Sequence, residues 1–265
     1  MKMFSHFDSP LFYVCVDFIV PKLYNAIVKP KASFLMCTEN NMKTIDVMVG
    51  DHAMRLHLSA AGGALPLVFI NDNLESGEGV VALLDDLPLN IAVVDPGLWE
   101  DSLSPWPEPA LCDGGNTFGG KGRELIRAYW KQIIPKAEQL TIIKPKFRVI
   151  SGYSLAGLWG VYAGLESGLF ERVAVASASL WYEGFIDYLK GKTPAASLER
   201  IQLSLGKKEE KARNPRLARI GAATAEAVEV MNQKGVTAKL VMTEGGHFTN
   251  AASRLADTIR AVVRE

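Results

Sequence analysis

The segment that most constrains the fold is Phe147 to Gly157, FRVISGYSLAG. An apolar, β-branched run passes through Gly152-Tyr153-Ser154-Leu155-Ala156-Gly157 and straight into an apolar stretch of helical character. A serine in a G-x-S-x-[GA] pattern between strand and helix must occupy a tight turn, with its hydroxyl pointing out of the sheet. Gly152 and Ala156 are small because the strand and helix backbones crowd each other there. The same turn leaves the Leu155 N–H near a helix amino terminus, free to donate to a developing oxyanion. Ser154 is therefore the candidate nucleophile, and Leu155 the first candidate oxyanion donor.

The rest of the chain supplies a matching scaffold. Thr44 to Val49, Met54 to Leu58, Pro66 to Ile70, Asn90 to Val94, Phe147 to Ile150, Val173 to Ala176, Ile201 to Leu205 and Val236 to Met242 read as strands. Gly79 to Leu84, Gly122 to Leu140, Leu155 to Leu165, Leu217 to Met231 and Ala251 to Val263 read as helices. The broad apolar face expected over Gly122 to Leu140 includes Trp130. Strand–helix alternation of this kind predicts an α/β fold with a mostly parallel central sheet and helices on both faces. Residues 42–265 are expected to form this domain. Residues 1–41 show no clean periodicity and are expected to be an amino-terminal appendage, or to precede a start at Met42. Gly97 to Gly120 holds Trp99, Trp106, several prolines and a glycine cluster, so it is expected to be an irregular, functional segment over the site.

A nucleophilic serine needs a base. His247 is the single histidine after Ser154 and lies in Glu244-Gly245-Gly246-His247, between the last strand and the last helix. Loops at the carboxyl edge of a parallel sheet are where catalytic groups gather. An acid should fall between serine and histidine in the chain. Glu209 is the first choice and Glu210 the second, both in the charged run after the Ile201 to Leu205 strand. Glu244 and Asp257 are weaker candidates, and a Ser–His dyad without an acid is a further alternative. The second oxyanion donor is expected after the Pro66 to Ile70 strand, from Asp72 or Asn73.

Other chemistry is excluded or left bland. The 29 basic residues balance the 29 acidic ones, which gives no footprint for nucleic acid. The apolar stretch Pro10 to Val20 is too short to span a bilayer and carries Asp17, so no membrane insertion and a cytoplasmic location are expected. The three cysteines, Cys15, Cys37 and Cys112, form neither a disulfide framework nor a zinc cluster. Gly114, Gly115, Gly119, Gly120 and Gly122 follow no strand and lack the Lys-Ser/Thr of a phosphate loop; their expected role is flexibility. Trp99, Trp106 and Trp181 fit either a substrate pocket or ordinary packing.

In seven places, in order, the sequence resembles the branch of the α/β-hydrolases that holds esterase D-like enzymes, enterochelin-type siderophore esterases and mycolyltransferases. These are Leu67 to Asn73, Asp101 to Pro105, Glu124 to Pro135, Gly152 to Leu158, Ser177 to Trp181, Gly206 to Glu209 and Gly245 to His247. Asn73 stands where the family usually has glycine. The resemblance covers Met42 onward and implies the α/β-hydrolase fold, with Ser154 as nucleophile, His247 as base and Glu209 as acid. It implies a serine ester hydrolase acting on a small-molecule ester through an acyl-enzyme, with no metal or organic cofactor. An acyltransferase on the same scaffold and a catalytically inactive binding member are the alternatives. The ester itself and the oligomeric state are not legible.

Overall fold

A computed structural model describes residues 42–264. The appendage expected over residues 1–41 lies outside the described residues. Eight strands form the main sheet in the order β1-β2-β4-β3-β7-β8-β9-β10. They are β1 (Met42–Val49), β2 (His52–Ser59), β3 (Leu67–Asn71), β4 (Asn90–Val94), β7 (Arg148–Tyr153), β8 (Arg172–Ala176), β9 (Arg200–Gly206) and β10 (Thr237–Thr243). β2 runs antiparallel to both β1 and β4, and every other neighbouring pair is parallel.

The central strands explain why their sequences are apolar without alternation. Leu67 and Phe69 of β3 join the core on one face, whereas Val68 and Ile70 join the core on the other. β8 divides in the same way, with Val173 and Val175 on the first face and Ala174 and Ala176 on the second. A sheet covered on both sides needs apolar residues at every position. The first face is covered by α3 (Gly122–Ala128), α4 (Ile134–Thr141), α5 (Leu155–Ser167) and α8 (Ile220–Gln233). The second is covered by α1 (Leu74–Val81) and α9 (Ala251–Arg264). Three short helices complete the described set: α2 (Trp99–Ser102), α6 (Phe185–Gly191) and α7 (Pro215–Ala218). β5 (Pro107–Glu108) and β6 (Phe118–Gly119) form a separate small hairpin.

Several elements depart from their expected limits, each for a local reason. α1 starts at Leu74 rather than near Gly79, because the Asn73 side chain accepts a hydrogen bond from the Ser76 N–H and caps it. The helix expected over Gly122 to Leu140 is interrupted by a π-helical turn, Tyr129–Ile133. Pro135 follows it; proline offers no N–H and crowds the carbonyl of residue i−4, which loosens the ladder there. The turn shifts the helix phase, so Trp130 is 62% exposed instead of buried. The helix expected from Leu217 to Met231 is two helices, α7 and α8, joined at Arg219.

Gly97 to Gly120 is ordered by its own contacts. Ser104, fully buried, donates to the Glu100 carbonyl at 2.6 Å and accepts from the Gly120 N–H at 2.8 Å. Trp106 donates to the Glu183 carbonyl at 3.0 Å and packs among Tyr182, Phe185 and Tyr188. Gly119, Gly120 and Gly122 serve close approach rather than flexibility. A Cβ on Gly120 would stand 2.5 Å from Pro107, and one on Gly122 would stand 2.7 Å from the Ser104 carbonyl oxygen.

Candidate active site

Ser154 joins β7 to α5 with φ 56° and ψ −118°, a left-handed, strained backbone that non-glycine residues rarely adopt. Three backbone hydrogen bonds hold it there. Its N–H donates to the Ala176 carbonyl at 3.1 Å, and its carbonyl accepts from Leu158 and Ser179, each at 3.0 Å. The turn closes because Gly152 has no side chain: a Cβ there would lie 2.5 Å from the Ala156 carbonyl carbon. Gly157 is constrained in the same way, since its Cβ would meet Ala178 at 3.0 Å. The Leu155 N–H is the first of α5 and belongs to the helix-terminal donors without an intrahelical acceptor.

His247 leaves β10 through Gly245, whose φ is 92°, and Gly246. Its Nε2 lies 3.0 Å from Ser154 Oγ and its Nδ1 lies 2.8 Å from Glu209 Oε2. With the proton on Nδ1, the imidazole donates to the carboxylate and accepts from the serine. Two loops must meet for this contact. The Lys208 N–H donates to the Gly245 carbonyl at 2.9 Å, and Gly206 lets the strands close, because its Cβ would stand 2.6 Å from that carbonyl oxygen.

Of the four acids raised by the sequence, Glu209 is the one that reaches His247. A 3₁₀ turn at Glu209–Lys211 directs Glu209 inward. The exposed Glu210 lies against Gly221 at the start of α8, Glu244 pairs with Lys207 on the surface, and Asp257 is exposed. The Glu209 side chain is only 2% exposed. Its Oε1 accepts from Ser177 Oγ at 2.6 Å, the Gly206 N–H at 2.8 Å and Arg254 Nη1 at 2.8 Å. Burial alone would raise its pKa. The hydrogen bond and charge of His247, with those from Ser177 and Arg254, outweigh burial and bring it down to about 2. Ser177, with φ 48°, entered the sequence reasoning only as the start of the Ser177 to Trp181 resemblance, without a role, and Arg254 did not enter it.

The expected second oxyanion donors are both engaged. The Asp72 N–H donates to the Val94 carbonyl at 3.2 Å, and the Asn73 N–H donates to the Asp72 carboxylate at 2.8 Å. Burial, opposed by the Asn73 N–H and reinforced by the charge of Asp95, pushes the Asp72 carboxyl up to about 7. β3 and β7 are paired with Asn71 opposite Gly152, so this loop emerges beside the Ser154 turn. Trp181 is buried, with Arg216 over its ring and Arg219 on its carbonyl; Trp106 is packed as described, and Trp99 lies half-buried against the core. Phe248, 57% exposed, stands edge-on to the His247 ring.

A second hydroxyl–imidazole–carboxylate chain lies on the antiparallel edge of the sheet. Thr44 Oγ1 is 3.1 Å from His57 Nδ1, and His57 Nε2 is 2.9 Å from Glu78 Oε1. Among the described residues, no group of three or more His, Cys, Asp or Glu side chains is placed to hold a metal ion. No helix there is long and apolar enough to cross a membrane.

No protein-family model matches the sequence, and no curated protein does. Solved structures match the fold over most of its length. Siderophore hydrolase EstB from Aspergillus nidulans superposes with a TM-score of 0.64 at 14% identity, covering 87% of this chain and 98% of its own. Siderophore hydrolase EstA from the same organism gives 0.66 at 13% identity, covering 88% and 98%. The enterobactin and salmochelin hydrolase IroE gives 0.58 at 17% identity, covering 82% and 94%. Together with a largely parallel sheet, a strained serine turn at its carboxyl edge and helices on both faces, these matches establish that the chain has the α/β-hydrolase fold.

Proposed function

We propose that the protein is a serine hydrolase that cleaves a carboxylic ester through an acyl-enzyme on Ser154. The observation that carries this reading is the 3.0 Å contact between Ser154 Oγ and His247 Nε2 at a turn held in a left-handed backbone. As Ser154 Oγ attacks the ester carbonyl carbon, His247 Nε2 takes its proton. Glu209 accepts the Nδ1–H and stabilises the imidazolium without itself becoming protonated. The Leu155 N–H receives the negative charge on the former carbonyl oxygen. Asp72 and Asn73 supply a second donor once one of their N–H groups is released from its present acceptor. When the tetrahedral intermediate collapses, the alcohol leaves with the proton from Nε2. Water then attacks the acyl group as His247 takes one of its protons. Ser154 leaves with that proton, and the carboxylic acid is released.

The test is labelling by a fluorophosphonate probe, comparing the wild type with Ser154→Ala and His247→Ala. Labelling of the wild type that is absent from both variants is expected. A folded wild type that does not label would sink the hydrolase reading in favour of a binding protein. A panel of esters, with siderophore-type lactones included because solved relatives in fold are siderophore hydrolases, would then define the acyl group. Product that forms only when an alcohol acceptor is added would make the enzyme an acyltransferase.

A further inference from the structure

Arg254 lies in the first turn of α9 and is only 4% exposed. Arginine at such a depth is costly unless its charge is paired and its N–H groups are taken up. Here the two terminal nitrogens, though not the buried Nε, are taken up, and they divide their contacts between the two loops of the site. Nη1 donates to Glu209 Oε1 at 2.8 Å and to Ser177 Oγ at 2.9 Å. Nη2 donates to the His247 carbonyl at 2.7 Å, to the Gly246 carbonyl at 3.1 Å and to the Tyr153 hydroxyl. The Tyr153 hydroxyl in turn donates to the His247 carbonyl. One planar group thus touches the acid itself, the backbone of the base and the residue before the nucleophile.

We propose that Arg254 is a positioning residue for the reaction: it fixes Glu209 and the His247 backbone relative to each other, so that the imidazole stays on Ser154. The proposal rests on the serine-hydrolase reading above. The contacts require a fork. A lysine ammonium can replace the charge, but it cannot serve Glu209 through one nitrogen and the His247 carbonyl through another. The hydrogen bonds of Arg254 set the geometry that makes the imidazole useful.

The experiment follows the rate constant of fluorophosphonate inactivation, and the fraction of protein that reacts, for the full chain, Arg254→Met and Arg254→Lys, with folding checked by thermal melting. Both variants are expected to react about 10- to 100-fold more slowly than wild type, the scale typical of residues that orient a catalytic ligand. The loss should lie in the rate constant, and the lysine should not restore it although it keeps the charge. A folded variant that reacts at the wild-type rate overturns the proposal. So does a loss confined to the fraction of reactive protein, with the rate constant unmoved, which is the mark of a purely structural role. A wild type that fails to react overturns the serine-hydrolase reading and this proposal together, and is recognisable because no variant is needed to see it. Should both Arg254 variants fail to fold, Tyr153→Phe carries the test, since it removes one hydroxyl from the same network. It should slow inactivation about 5-fold, the worth of one hydrogen bond, and a wild-type rate in it overturns the proposal.

Discussion

Ser154–His247–Glu209 and Thr44–His57–Glu78 are built from the same groups in the same order, a hydroxyl, an imidazole bonded through both nitrogens and a glutamate, with the two ring nitrogens exchanged. Their surroundings differ at every link. Ser154 sits on a strained turn ahead of a helix, whereas Thr44 sits in an extended strand directly opposite His57 in the β1–β2 register. The Glu209 side chain is 2% exposed and takes three hydrogen bonds beyond that of His247, while that of Glu78 is 38% exposed, with Arg55 at 3.5 Å as its further partner. Ser154 is followed by the first N–H of a helix, a donor at the positive end of α5, whereas Thr44 is followed by strand backbone. Hydrogen bonding between the right side chains is thus common ground between a cross-strand contact and a site for chemistry. The turn, the unspent backbone donor and the buried anchor for the acid separate the two.

The comparison can be broken most sharply by removing the acids. Glu209→Gln should lower the fluorophosphonate reaction by about 10³- to 10⁴-fold, the loss expected when a base is held in the wrong tautomer. Glu78→Gln should leave that rate within about twofold, as expected for a half-exposed surface contact. Equal losses would mean that the two chains are coupled. Next comes the turn. Gly152→Ala places a Cβ against the Ala156 carbonyl and should cost about 2 to 4 kcal/mol in stability by denaturant unfolding, as overpacking and backbone strain do. Thr44→Val should cost less than about 1 kcal/mol, the worth of one exposed hydrogen bond.

Acid supplies a third contrast. The Glu209 pKa lies below its usual value, so its contribution to stability is present above about pH 4.5 and is lost as pH falls toward about 2. The melting temperature of the wild type should fall more steeply with decreasing pH in that window than that of Glu209→Gln. Asp72 has the opposite sign. Its raised pKa means that stability declines as pH rises from about 4 toward about 7. Asp72→Asn should therefore gain more unfolding free energy at pH 8 than at pH 4, by about 1 to 2 kcal/mol, an effect that solvent access to the carboxyl reduces. A variant with no such pH dependence would mean that the carboxylate is fully hydrated.

The sequence made the middle of the molecule legible. Strands buried on both faces are written as unbroken apolar runs, and a serine between two small residues at a strand–helix junction has few other readings. The edges were less legible because their chemistry is set by contacts far away in the chain. Glu209 and Glu210 are equivalent in a KKEEK run until the 3₁₀ turn sends one inward and the other toward α8. Trp130 fits the apolar stripe until a π-helical turn shifts the phase. The partners of Arg254 are not marked by the sequence of its own helix. They lie 45 and 101 residues away, at Glu209 and Tyr153. The signal in hindsight is a cation directly beside Leu255 at the start of a helix whose apolar stripe continues through Ile259 and Val262.

The order of strands also dictates when the site can exist during synthesis. From β7 outward, β8, β9 and β10 are added to the sheet in the order in which the ribosome makes them. Ser154 is therefore seated in a growing sheet well before the chain reaches His247. The last helix, α9, then turns back across β8 and β9, bringing Leu255, Ile259 and Val262 onto a face that until then has Ala174 and Ala176 open to water. Arg254 arrives with that helix. A nascent or prematurely terminated chain thus carries the serine without the means to activate it, and exposes an apolar surface of the kind that chaperones and proteases recognise. On the serine-hydrolase reading, reactivity and completion of the core would be gained in a single late step, and an incomplete chain would be inert as well as open to removal.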